Sequence, residues 1–211
     1  MRMPGKYGLV LAEGKTDIAV LERIAQAAGI GGLRFENFGG SGNLKSFLEV
    51  LVKRPDFVSG RIGKVLITRD ADDSFESAWS SVRAMVAKVF GPSIEEPGRW
   101  ESSRNGPRIA AWIVPGSGRT GMIESLCLDV AKKSAPDAFE CLLPFTSCLR
   151  DNHGIELHEK ERFDIWTIIA QGPALGRKRM SFSDALARIG FDWADDTFSE
   201  LRDLLESASL K

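Results

Sequence analysis

At 211 residues, with 43% hydrophobic and 27% charged side chains, the chain has the composition of an ordinary globular protein with room for one domain and an accessory piece. Its formal net charge of −1 excludes a global electrostatic pull on phosphate polymers, so any nucleic-acid contact must come from a local basic face, of which Arg177 to Arg179 in "GRKR" is the sequence candidate. The apolar runs fall short of the roughly 20 residues needed to cross a bilayer, and "MRMPGKYG" lacks the apolar stretch of a signal peptide, so the expectation is a cytoplasmic protein without membrane contact. Cys127, Cys141 and Cys148 show neither C-x-x-C spacing nor metal-type clustering, and are expected to be reduced thiols in or near the core.

Taken in chain order, "YGLVLA" at residues 7–12 predicts a buried strand that ends at Glu13 and Gly14. Thr16 is placed to cap a helix whose Val20, Leu21, Ile24, Ala25 and Ala28 recur at helical spacing up to Gly29. "LRFENF" predicts a second strand. Gly39, Gly40 and Gly42 then make a turn before a helix carrying Leu44, Phe47, Leu48, Leu51 and Val52, closed by Pro55. "GKVLIT" is the third strand. Asp73 and Glu76 have capping-box spacing for the next helix, whose stripe is Phe75, Trp79, Val82, Val86 and Val89. Residues 92–108 hold no clear period and are rich in turn formers, which reads as an insertion or long loop. "IAAWIV" is the fourth strand, and past "PGSGRTG" a helix is expected from about Met122 to Lys132.

Strands alternating with helices predict an α/β fold of Rossmann-like kind, a parallel four-stranded sheet flanked by helices. From Pro136 onward helical stripes take over: Phe163, Trp166, Ile169 and Ala170, then Ala185, Leu186 and Ile189, then Phe198, Leu201, Leu204 and Leu205. The expected organisation is an α/β domain over residues 7–133, with the insertion near 92–108, and an α-helical C-terminal extension over 134–211. That extension either packs on the domain or serves self-association as a homodimer.

In an open parallel sheet, ligands collect at the carboxyl ends of the strands. Glu13 falls at that edge after the first strand, and Asp70 and Asp72 after the third. Two residues apart, Asp70 and Asp72 can converge on one cation, and magnesium takes hard oxygen ligands while keeping several waters. Clustered carboxylates also raise one another's pKa unless a cation neutralises them. The residues alone leave a blander reading open, in which Asp70 and Asp72 are solvated turn residues and Asp73 starts a helix. Asp17 shares a face with Glu13 if the first helix begins early, and is equally suited to a first turn on dipole grounds.

Together, "LVLAEGKTD" and "VLITRDAD" resemble the Toprim superfamily, the catalytic domain of bacterial primases, topoisomerases and OLD-family nucleases, with its glutamate after the first strand and Asp-x-Asp after the third. More closely, the chain is similar to small stand-alone Toprim-like proteins of uncharacterised function related to the OLD-nuclease domain, to which "AAWIVPGSGRTGMIESL" adds a G-x-x-E before a helix. The resemblance covers about Tyr7 to Lys132. It implies that Glu13 is a general acid or base, that Asp70 and Asp72 hold Mg²⁺ or Mn²⁺, and that Asp17 and Glu124 help with a second ion. Glu124 also suits the first turn of a helix for dipole reasons alone. Lys15, Lys45, Arg69 and Arg119 flank these loops and would balance phosphate charge; Gly40 would line the phosphate path.

The resemblance has limits. Tyr7 is the only tyrosine and opens a buried strand, which leaves topoisomerase-type strand passage without a nucleophile, and there is no room for a full primase or an ATPase domain. "GGSGNLKS" misses a P-loop because Leu44 stands where glycine is required. "DADDS" also resembles the haloacid-dehalogenase phosphatase loop, but lies on the third strand instead of the first. His153 and His158 read as surface histidines. Trp100, beside Arg99 and Arg104, is a candidate for stacking on a base. The expected function is Mg²⁺-dependent phosphoryl transfer on nucleic acid, DNA before RNA, as a nuclease that nicks or trims ends. The alternatives are a non-catalytic metal- or nucleic-acid-binding module working with an ATPase or defence-system partner, and a phosphatase.

Overall fold

Four runs lie side by side, the three central ones too hydrophobic to leave a face in water, whereas the edge run exposes Arg34 and Asn37. In the computed structural model, which describes residues 5–91, 93–104, 106–116, 118–171 and 191–210, they are β1 (Tyr7–Ala12), β2 (Leu33–Asn37), β3 (Ile62–Asp70) and β5 (Arg108–Val114). Every residue of β1 is buried, as is all of β5 after Arg108, the signature of central parallel strands covered on both faces. The order is β2-β1-β3-β5-β4. The expected four strands pair in parallel. A fifth, β4 (Glu101–Ser102), adds antiparallel to β5 inside the segment expected as an insertion.

Residues Leu9, Leu11, Val65, Ile67, Ile109, Ala111 and Ile113 face one core, filled by Leu44, Leu48 and Leu51 of α2 (Leu44–Leu51) and by Val82, Val86 and Phe90 of α4 (Phe75–Phe90). A short α3 (Pro55–Val58) precedes β3. On α1 (Lys15–Ala27), Val20, Leu21 and Ile24 are buried. The chain's last helix, here α8 (Ser199–Ala208), packs against α1, β1 and β3. Gly8 permits that approach: a Cβ there would meet the Ala208 carbonyl oxygen at 2.2 Å.

Contacts divide the chain into two units, Met1–Gly121 with Phe198–Lys211, and Met122–Thr197. The second contains α5 (Ile123–Ser134), α6 (Pro136–His153) and α7 (Glu159–Gln171). Its core includes Phe163 stacked on Trp166 with centroids 5.6 Å apart, and Phe191 edge-on to both. Cys127 is buried as expected. Cys141 and Cys148, expected in or near the core, are exposed on α6, whose buried stripe is Ala138, Phe139 and Leu142. Arg177 to Arg179 and the stripe of Ala185, Leu186 and Ile189 lie outside the described residues. No helix among the described residues is long and apolar enough to cross a membrane.

Two helix starts differ from expectation. In α1 the N-cap is Gly14, and the carboxylate of Asp17 accepts the Gly14 N–H at 2.5 Å, so a side chain three residues in replaces the hydroxyl cap expected of Thr16. In α4 the N-cap is Ser74, whose Oγ accepts the Ser77 N–H at 3.2 Å. Asp73 therefore stands one residue outside the helix.

Candidate active site at the carboxyl edge of the sheet

The paired strands end at different heights. β1 pairs with β3 through Leu11 opposite Ile67, whereas β3 continues beside β5 to Asp70 opposite Val114. Arg69 and Asp70 therefore project past the last β1 pairing, level with the chain leaving β1 at Glu13. Inside this edge the Thr68 hydroxyl, buried, donates to the Leu11 carbonyl at 3.0 Å and ties the two strands together. By strand alternation Arg69 follows Ile67 and Asp70 follows Thr68 onto opposite faces.

Glu13 is held by the loop that follows β2. Phe38 N–H donates to Ala12 O at 2.9 Å and Gly40 N–H to Glu13 O at 3.0 Å, while Ser41 N–H donates to Glu13 Oε1 at 2.8 Å. Gly40 sits at φ 101°, a conformation that belongs almost only to glycine. Asn43 closes the loop by donating its side-chain amide to Gly39 O and its backbone N–H to Gly40 O at 2.9 Å. Ser41 and Asn43 had no signal in the sequence beyond sitting in and beside a glycine-rich turn.

The other oxygen of Glu13, Oε2, is buried with no hydrogen-bond partner, as are Nε and Nη1 of Arg69. Burial pushes the Glu13 carboxyl above its usual value. The Ser41 N–H opposes that shift, the charge on Asp72 adds to it, Arg69 counters it and Asp17 adds to it again. Glu13, Asp17, Arg69 and Asp72 therefore share one electrostatic neighbourhood.

Asp72 has its own constraint. Its φ is +48°, and its N–H and C=O pair with Gly121 O and N–H at 2.9 and 2.8 Å, an isolated antiparallel bridge. Left-handed backbone is uncommon for a residue with a side chain, although aspartate tolerates it better than most. The bridge fastens the loop after β3 to the loop after β5.

The remaining sequence candidates fall in several places. Lys15 and Lys45 are exposed in the first turns of α1 and α2, and Arg119 is exposed in the loop after β5. Gly40 contributes a turn whose N–H is already engaged. Asp17 is buried and holds the start of α1. Glu124 is buried in the first turn of α5, within the second unit. Trp100 donates its Nε1–H to Ser207 Oγ at 2.9 Å and lies under Lys64 at 5.5 Å, anchoring α8 near the amino end of β3, away from the carboxylates.

This is a mostly parallel α/β unit with an acidic carboxyl edge, the class in which ligands bind where the strands end. The chain belongs to the family described as protein of unknown function DUF3226, whose model matches residues 7–205. No curated protein matches it. Among solved structures, it is similar to the crystal structure of a hypothetical protein from Pyrococcus horikoshii OT3, with a TM-score of 0.64 and 16% identity over 96% of this chain and 99% of that one. It is also similar to the C-terminal region of the Xanthomonas campestris pv. campestris OLD protein, with a TM-score of 0.48 and 14% identity over 96% and 93% of the two chains.

Proposed function

We propose that this chain is a Toprim-type, metal-dependent phosphoryl-transfer enzyme that nicks or trims nucleic acid, DNA before RNA. The observation that carries the reading is the state of Glu13, with one oxygen fixed by Ser41, the other buried and unpartnered, and a carboxyl raised by burial and by Asp72. Residues 7–133 carry the chemistry in this reading, with 134–211 as an extension whose last helix completes the sheet unit.

The donor set suits a hard divalent cation. Glu13 Oε2 needs a partner, and a nearby cation offsets the burial, and the smaller repulsion from Asp72, that raise this carboxyl. Among the described residues no three histidine, cysteine or acidic side chains stand together as a ready cage. Mg²⁺ keeps several waters and takes, beside a substrate phosphate, one or two carboxylates, which a pair of aspartates can supply. Asp70 and Asp72 would hold the ion. Once bound, such an ion supplies Lewis-acid polarisation of a phosphoryl oxygen.

The chain's own groups do the rest. Glu13 takes up or returns the proton of the attacking or leaving oxygen, and its upward shift moves it toward the working pH, where general acid–base transfer is most effective. In this reading the Arg69 guanidinium, beside Glu13, supplies a charge-assisted hydrogen bond to a phosphate oxygen. Lys15, Lys45 and Arg119, all exposed, offer screened contacts to the trailing backbone.

A second reading is a binding module that acts only with a partner. Incubation of plasmid with the full chain and Mg²⁺ or Mn²⁺, beside an Asp70→Ala, Asp72→Ala variant, separates the two. Nicking lost in the variant supports the enzyme. Identical traces from both refute it, and hydrolysis of a small phosphate ester with intact DNA points to a phosphatase.

A further inference from the structure

A second feature of the sheet unit lies at the edge opposite the carboxylates. α4 starts after Asp70 and runs back along the sheet, so its last turn, Lys88 to Phe90, meets Val52 after α2, Phe57 of α3 and the segment before β5. They line an open groove of about 300 Å³. A depression of about 250 Å³ adjoins it, sharing Val52, Lys88 and Val89 and reaching Lys53 and Glu49.

The floor is apolar. Val52, Phe57 and Val89 are only partly buried against the core, and the rings of Phe57 and Phe90 pack at 6.0 Å. The rim is basic: Lys53, Lys88 and Arg104 are exposed around it, against a single acidic lining residue, Glu49. Arg104 is laid in place, since a Cβ on Gly91 would come within 2.9 to 3.1 Å of its Nε, Cδ and Cγ. Ser103, which lines the same groove, has a buried Oγ with no hydrogen-bond partner.

We propose that this groove docks an acidic, apolar segment of a partner protein, one in which leucine or phenylalanine is interspersed with aspartate or glutamate. The floor removes the apolar side chains from water. Three cations facing one anion attract a carboxylate-bearing segment and repel a basic one. The groove is separate from the Glu13 edge, so the inference holds whether or not the chain cleaves nucleic acid.

Fluorescence polarisation on the full chain tests it, with a short labelled peptide of leucine, phenylalanine and glutamate, its counterpart with lysine for glutamate, and a single-stranded oligonucleotide as competitor. The expected result is binding of the glutamate peptide alone, weakened about tenfold or more in Lys88→Glu, Arg104→Glu. Val89→Asp tests the floor separately. Circular dichroism reports whether each variant is folded, and backbone amide NMR shifts are expected to cluster at Val52, Phe57 and Val89. The proposal is overturned if the glutamate peptide does not bind, if both peptides bind equally, if the oligonucleotide displaces the peptide, or if folded variants bind like the wild type.

Discussion

The backbone N–H of Ser41 donates to Oε1 of Glu13 at 2.8 Å, joining the loop after β2 to the end of β1 across 28 residues of chain. It depends on the conformation of Gly40, whose φ of 101° is inaccessible to most side chains, although a Cβ there would meet nothing within 4 Å. Gly40→Ala is therefore a backbone perturbation without a clash. It is expected to destabilise the fold by about 1 to 3 kcal/mol, read from urea denaturation, and to loosen Glu13. An unchanged midpoint would mean that the loop relaxes freely.

The raised carboxyl of Glu13 has a thermodynamic consequence. A carboxyl raised in the folded state retains its proton there after the unfolded chain has lost it, so stability falls as pH rises from the ordinary glutamate range of about 4.3 through the raised value. Glu13→Gln keeps an oxygen for Ser41 and removes the charge. The variant is expected to be more stable than the wild type at neutral pH, with the difference vanishing as pH drops below the ordinary glutamate range. Paired urea midpoints across pH check it, and a variant less stable at neutral pH contradicts the burial argument.

Arg69 is predicted to serve binding at the expense of stability. Its Nε and Nη1 are buried without hydrogen-bond partners, and unsatisfied buried N–H groups are unfavourable. Arg69→Met preserves much of the apolar stem and should melt no lower than wild type. Removing the phosphate donor should reduce nucleic-acid turnover by about a hundredfold. A destabilised variant with full activity would reverse this assignment.

The strands that form the edge were legible because their residues leave little choice. Val65, Leu66 and Ile67 cannot face water, and the turn formers around them set their limits. Strand order was not legible, since a parallel crossover places no local mark on sequence. β4 was missed for a simpler reason: Glu101 and Ser102 are too few to show a period, and only pairing with Arg108 and Ile109 makes them a strand. Leu201, Leu204 and Leu205 announced a helix, but its destination rests on Gly8, whose missing Cβ admits Ala208, and on Ser209 Oγ donating to Gly31 O at 2.6 Å.

At the site, sequence spacing named Glu13, Asp70 and Asp72 but could not supply what surrounds them. Ser41 reaches Glu13 through its backbone, which no side-chain pattern encodes. Asp72 is held by Gly121, from the loop after another strand. Thr16 and Asp73 looked like helix starters, but the Asp17 carboxylate on the Gly14 N–H and the Ser74 hydroxyl on the Ser77 N–H set the starts a residue or two away.

In the second unit, Lys133 Nζ lies 2.7 Å from Asp195 Oδ1, which also accepts the Thr197 N–H at 2.8 Å. Hydrogen bonds from Lys133 and Thr197 lower the Asp195 carboxyl to about 2. Its contribution to stability is complete above the ordinary aspartate value of about 3.9 and is lost as pH falls through about 2. Asp195→Asn should therefore lower the melting temperature at pH 7 and leave it unchanged near pH 2. Equal losses at both would mean that the carboxylate's charge is irrelevant.

The most direct test of the phosphoryl-transfer account is single-turnover cleavage of an end-labelled DNA duplex in Mg²⁺ by the wild type and Glu13→Gln at matched concentration. The account predicts cleavage by the wild type and a loss of about 10²-fold or more in a variant that remains folded. Cleavage at the same rate by both proteins, or by neither, would contradict it.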